Sequence, residues 1–141
     1  MRGGADGELL VIDASVVVAL VAANADETRS VAARLGDAML FAPAILLTEV
    51  DSALRGLERG RKLSNRQVDV ARWHARRLPI EFWPGEAIAE RAWELRANLT
   101  IYDASYVALA EHIGGVLLTG DLRIAKAGVA RCPIEIVGLV P

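Results

Sequence analysis

The chain has 141 residues, 53% hydrophobic and 24% charged, the balance of one globular domain and not of a disordered chain. A single cysteine, Cys132, excludes an intramolecular disulfide and fits a cytoplasmic setting. The net charge of −2 hides an asymmetry: residues 55–77 hold eight Lys/Arg against Glu58 and Asp69, so this segment stands at +6 and the remainder at −8. Such a division describes either two solvated helical faces, or a basic surface for a polyanion beside an acidic region that concentrates a cation.

Residues 1–8 read as a short flexible tail and residues 9–141 as one domain. The apolar run 9–23 is shorter than the roughly 18 residues a membrane helix needs. Asp13 interrupts it, and Asp6 and Glu8 deny it a positive leader. It reads instead as a strand buried on both faces over 9–12, then a helix over 14–22. A second helix covers 27–35 and stops at Gly36, and Met39-Leu40-Phe41 forms the next strand. Pro43 suits the first turn of a helix running to Arg59, with Leu46, Val50, Leu54 and Leu57 as its apolar stripe. Gly60 ends it, and Ser64 caps a basic helix reaching Arg77. A brief strand at 80–82 follows, then helices at 86–97 and 103–113, the latter closed by Gly114-Gly115. A strand at 116–119, a short helix at 121–127 and a last strand at 134–137 complete the order. Alternating strands and helices predict an α/β fold with a parallel sheet covered on both faces.

In such a sheet, ligands bind beyond the carboxyl ends of the strands. Asp13 directly follows the first strand and Asp121 follows Thr119 after one glycine. Each is equally well placed to cap the helix it precedes. Glu49 borders the apolar stripe of its helix, where a carboxylate either binds something or snorkels to solvent. Asp103 opens a helix, and Thr100-Ile101-Tyr102-Asp103 also fits a variant capping box. Should these groups converge, their repulsion demands a cation, and oxygen-only ligands favour Mg2+ or Mn2+ over zinc. His74 and His112 lack partners at zinc-ligand spacing.

Four segments carry a resemblance: Val11-Ile12-Asp13-Ala14-Ser15, Thr48-Glu49-Val50, Tyr102-Asp103-Ala104-Ser105-Tyr106-Val107-Ala108-Leu109-Ala110, and Leu117-Leu118-Thr119-Gly120-Asp121. In this order and spacing they resemble the motifs of PIN-domain ribonucleases, more narrowly the VapC toxins of bacterial toxin–antitoxin pairs. The stretch from Arg91 to Thr100 has the same flavour. The resemblance implies a PIN-like three-layer α/β/α sandwich around a parallel sheet of four to five strands. It implies an acidic site of Asp13, Glu49, Asp103 and Asp121 for one or two Mg2+ or Mn2+ ions, with Asp13 and Asp103 as direct ligands. Glu49 and Asp121 then bind a second ion or hold water, and Ser15 and Thr119 orient carboxylates, unless their hydroxyls merely cap a helix and end a strand. Some relatives carry another acidic residue shortly after the fourth; here the chain reads Leu122-Arg123-Ile124.

The implied activity is endoribonucleolytic hydrolysis of RNA, giving a 5′-phosphate and a 3′-hydroxyl. Because an acidic site repels RNA, cations elsewhere must hold the phosphates: Arg55, Arg59, Arg61 and Lys62, if their helix borders the cleft, and Arg96. The implied partners are a small antitoxin, in a groove lined by residues such as Val31 and Leu35, and a second copy in a homodimer. The rival reading is a PIN-like scaffold that binds a partner with little catalysis. No GxxxxGK[ST] loop is present and no GxGxxG follows the first strand, which sets nucleotide-binding α/β folds aside. Ser15, where a dehalogenase-like phosphatase needs an aspartate, argues against that fold.

Overall fold

A computed structural model describes residues 7–137. The element order is β1 (Leu9–Ile12), α1 (Ala14–Ala22), α2 (Ala25–Leu35), β2 (Met39–Pro43), α3 (Leu46–Arg59), α4 (Asn65–Ala75), β3 (Ile80–Trp83), α5 (Ala89–Glu94), α6 (Ile101–Ile113), β4 (Val116–Thr119), α7 (Leu122–Lys126) and β5 (Ile134–Ile136). The five strands form one parallel sheet in the order β3-β2-β1-β4-β5. This is the expected PIN-like three-layer sandwich, at the upper end of the expected strand number. Leu10, Val11 and Ile12 are wholly buried although their side chains alternate between faces, because helices cover both sides of β1.

The helices form two groups. Around α1 gather α2, α3 and α4, whereas α6 lies across β1, β2 and β4 with α5 packed against it. The core runs through Val16, Val17, Val31, Leu46 and Val50 on the first group and Tyr106, Val107 and Leu109 on the second. The α6–β4 turn shows why its two glycines are needed. Gly114 adopts φ +70°, and a side chain on Gly115 would lie 2.7 Å from the Leu9 carbonyl oxygen.

Several boundaries differ from the sequence expectation. Pro43 ends β2 instead of starting a helix. It lies past the last β1 pairing, Val11 with Phe41, so its missing N–H breaks no ladder bond there, and α3 begins only at Leu46. The single helix expected over 86–97 is a 3-10 turn at Gly85–Ala87 followed by the short α5. Ile88, Ala92, Leu95 and Leu99 are all buried, so burial of this apolar row is kept while the backbone is not continuously helical. Of the expected tail, residues 1–6 lie outside the described residues, but Glu8 is ordered by both Arg34 amines at 2.9 Å. Arg34 also pairs with Glu135 and so ties the entry of β1 to β5. Among the described residues, no helix is long and apolar enough to cross a membrane.

Candidate active site

The sheet order creates a switch point. From β1 the chain proceeds outward to β2 and β3 on one side, then crosses back to β4 and β5 on the other. Crevices at the carboxyl ends of strands flanking such a point are where open α/β sheets bind ligands. Asp13 stands at the end of β1 and Asp121 just beyond β4, the two strands that meet there.

Two hydroxyls couple these strand ends. Ser15 Oγ donates to Asp13 Oδ1 at 2.5 Å while accepting from the Gly120 N–H at 2.8 Å. Thr119 Oγ1 donates to Asp13 Oδ2 at 2.5 Å while accepting from the Asp121 N–H at 3.0 Å. Each hydroxyl therefore accepts a hydrogen bond from the β4 side and donates one to the carboxylate on the β1 side. Asp13 also receives the Val16 N–H at 3.3 Å, so it caps α1 and joins the cluster at once. Burial pushes the Asp13 carboxyl above its ordinary value, and the hydrogen bonds from Ser15 and Thr119 pull it partly back.

Glu49 comes from the first turn of α3, at the carboxyl end of β2. Its Oε1 accepts the Tyr106 hydroxyl at 2.5 Å, and no hydrogen bond among the described residues falls on Oε2. Burial raises its pKa; the Tyr106 bond lowers it, and the charges of Asp103 and Asp13 raise it again. Asp103 lies in the first turn of α6. Its N–H donates to Thr100 Oγ1 at 3.1 Å, half of the expected capping box. The returning bond from the Thr100 N–H to the Asp103 carboxylate is absent among the described residues. Burial raises Asp103 too; a hydrogen bond with the Thr100 side chain lowers it, and the charge of Asp121 raises it again. The four carboxylates thus feel one another as a chain of charges: Asp13 with Glu49, Glu49 with Asp103, and Asp103 with Asp121.

Asp121 is the exception. Its Oδ1 accepts the Arg123 N–H at 2.9 Å and Nε at 3.0 Å, and its Oδ2 accepts Arg123 Nη2 at 2.6 Å. The guanidinium holds its pKa below the ordinary value. Among the described residues, no three His, Cys, Asp or Glu side chains are gathered closely enough to hold a metal ion as they stand.

Tyr106 and Arg123 were not among the residues expected from sequence. Tyr106 lay in the third motif, one helical turn after Asp103 and hence on the same side of α6. Only its place in that motif marked it in the sequence, and at 2% exposure it is also part of the core. The cations expected to hold RNA are spread out. Arg55 is two turns beyond Glu49 on α3, while Arg59 ends that helix about 15 Å along its axis. Arg61 and Lys62 line a shallow groove with Glu58 and Arg66 at the α3–α4 turn. In the same basic segment, Arg72 and Arg76 both pair with Asp51. Arg96 covers the exposed Trp93 ring at 4.3 Å.

Val31 and Leu35, expected in a partner groove, are instead 0% and 8% exposed core residues, because α2 turns its apolar side inward. An apolar groove does exist, between α1, α2 and α3, lined by Val18, Ala19, Ala22, Ala53 and Leu57, with Ser15 at one end. His74 and His112 pack edge-on against Trp73 and Trp83. Burial pushes the Cys132 thiol up to about 11, leaving no thiolate at neutral pH.

The PIN-domain family model matches residues 10–130. Ribonuclease VapC9 of Mycobacterium tuberculosis is 38% identical over 129 residues, covering 92% of this chain and 98% of that protein. Ribonuclease VapC3 of the same organism is 40% identical over 120 residues, covering 85% and 88%. Among solved structures, VapBC2 from Rickettsia felis, bound to a DNA fragment from its promoter, superposes with a TM-score of 0.63 at 12% identity, over 92% of this chain and 98% of that one. By the extent of the family match and by its identity to these relatives, this chain belongs to the PIN-domain family, among its VapC-type members.

Proposed function

We propose that the protein is a metal-dependent endoribonuclease acting as the toxin of a toxin–antitoxin pair. The observation that supports this reading is that four carboxylates from four chain segments act on one another's charge in sequence around the sheet's switch point, three of them with raised pKa values. Such an arrangement opposes folding unless it serves to bind a cation. The ribonuclease names of the relatives support RNA as substrate.

The donor set fits a hard divalent ion, since Asp13, Glu49, Asp103 and Asp121 offer only oxygen. Asp13 and Asp103 are the direct ligands in this reading, with Glu49 and Asp121 on the side of a second ion. A bound Mg2+ or Mn2+ supplies a Lewis acid that makes water nucleophilic near neutral pH and offsets charge developing on the phosphate. The protein's own contribution is orientation and proton handling. Ser15 and Thr119 hold Asp13 in one rotamer, so its oxygens need no reorganisation. Tyr106 fixes Glu49 through Oε1 and leaves Oε2 as the site that takes a proton from the attacking water. The reading gives a 5′-phosphate and a 3′-hydroxyl as products.

Arg55, Arg59, Arg61, Lys62 and Arg96 are the proposed phosphate contacts, and their spacing over α3 and beyond suits an extended single strand. The antitoxin is proposed to lay an apolar segment in the groove beside Ser15, between α1, α2 and α3. We further propose a homodimer working in the cytoplasm, for which light scattering of the purified toxin tests the stoichiometry. The deciding experiment is cleavage of total cellular RNA by partner-free protein, with Mg2+ or Mn2+ and with EDTA, beside an Asp13→Asn variant. Discrete cuts that need metal and vanish in the variant support the proposal. Cuts that persist in EDTA overturn its mechanism, and folded protein that cuts nothing with either ion favours the binding-scaffold alternative.

A further inference from the structure

Three observations converge on Arg123. Its guanidinium engages both oxygens of Asp121, through Nε and Nη2, in the forked geometry that matches a carboxylate. Its charge also acts on Asp103, so it stands in the field of two of the four site carboxylates. The carboxylates are not drawn into a group of three that could hold an ion, although their charges interact in sequence around the cleft.

We propose that Arg123 is an internal counter-cation that competes with a divalent ion for Asp121. The active site then holds one ion firmly, on the side of Asp13 and Asp103, and takes a second only when the guanidinium moves off. The inference rests on the metal-dependent reading above and goes beyond it in assigning a residue that limits metal occupancy.

The geometry permits the exchange. Arg123 is 84% exposed and its ion pair is with Asp121, so release needs only rotation of a solvated side chain. The Arg123 N–H stays on Asp121 Oδ1 at 2.9 Å through the backbone, so Asp121 remains oriented while Oδ2 is freed. A guanidinium released in this way faces a cleft whose substrate carries phosphates.

The test is calorimetric titration of purified protein with Mn2+, comparing wild type, Arg123→Ala, Asp121→Asn, the double variant, Asp13→Asn and Arg29→Ala. Arg29 lies on α2, paired with Asp26, and its removal changes the net charge equally at a distance. Arg123→Ala is expected to bind Mn2+ about three- to fivefold more tightly, the scale of an exposed ion pair, or to take up a second ion. In the Asp121→Asn background the Arg123 effect should vanish, and Arg29→Ala should match wild type. Equal affinity and stoichiometry for Arg123→Ala and wild type, with binding that Asp13→Asn abolishes, overturns the proposal and leaves the metal reading intact. An equal gain from Arg29→Ala also overturns it, by assigning the effect to net charge. No Mn2+ binding by any variant overturns the metal reading, and the proposal with it.

Discussion

Replacing Thr119 with valine removes one hydroxyl and little volume, and it tests whether the β1 and β4 strand ends are coupled through that group. Thr119 is fully buried, and its Oγ1 is bonded on both sides, to Asp13 Oδ2 and to the Asp121 N–H. The variant leaves a carboxylate oxygen in an 8% exposed residue without its donor, a loss of about 1.5–3 kcal/mol for a charged acceptor. It also strands a partly buried N–H, for about 1 kcal/mol more. The added methyl returns about 0.8 kcal/mol through burial. The net is about 2–3 kcal/mol, or roughly 5–10 °C in Tm for a chain of this size. Thr119→Ser keeps the hydroxyl and gives up one methyl, which costs about 1 kcal/mol. Thermal unfolding in EDTA at pH 7.5 should therefore rank wild type above serine, and serine above valine, although valine is the closer match in shape. Because the missing bond favours the ionised carboxylate, the valine penalty should shrink as pH falls and Asp13 becomes protonated. A valine variant as stable as wild type would refute the coupling. So would a serine variant that is the less stable of the two.

Asp103→Asn should stabilise the metal-free protein at neutral pH. Asp13, Glu49 and Asp103 all have raised folded-state pKa values. Their contribution is thus fully favourable below the ordinary carboxylate values and is lost as pH rises through the folded ones. The variant should show a higher Tm than wild type in EDTA and lose the Tm increase that Mn2+ gives wild type; a lower Tm in EDTA would contradict this. Tyr106→Phe should leave the fold intact at a cost of about 1 kcal/mol, yet slow cleavage by about tenfold or more, because Glu49 loses the donor that orients it. Unchanged kcat in single-turnover assays would remove Tyr106 from the mechanism. Glu111→Gln probes the opposite sign of titration. Glu111 accepts Arg91 Nε at 2.7 Å and the Arg131 N–H at 2.7 Å, and its pKa is lowered. Its stabilisation is present above the ordinary value near 4.5 and fades as pH falls through the lowered one. The variant should be less stable at pH 7, with a gap to wild type that closes in acid.

Much of the fold was legible in the chain because it rests on local patterns. Three consecutive apolar residues at Leu10, Val11 and Ile12 report a strand covered on both faces, and Ser64, Gly36 and Gly114 mark helix ends by their own backbone and side-chain chemistry. The positions of Asp13 and Asp121 at strand ends were equally readable, since strand and turn occupy adjacent residues. Boundaries failed where a distant partner decided them: Pro43 stays in β2 because β3 continues beside it, and the stretch after Trp83 bends to keep Ile88 and Leu95 buried. What no local pattern could give is how side chains far apart in sequence meet. Tyr106 reaches Glu49 across 57 positions and Thr119 reaches Asp13 across 106, through packing that exists only once β1, β4, α3 and α6 are assembled. Chain order is enough to place carboxylates at the ends of strands and helices. That the Thr119 hydroxyl locks Asp13 and Tyr106 holds Glu49 depends on the assembled fold, because hydrogen bonds between distant segments rest on distances that chain order does not encode.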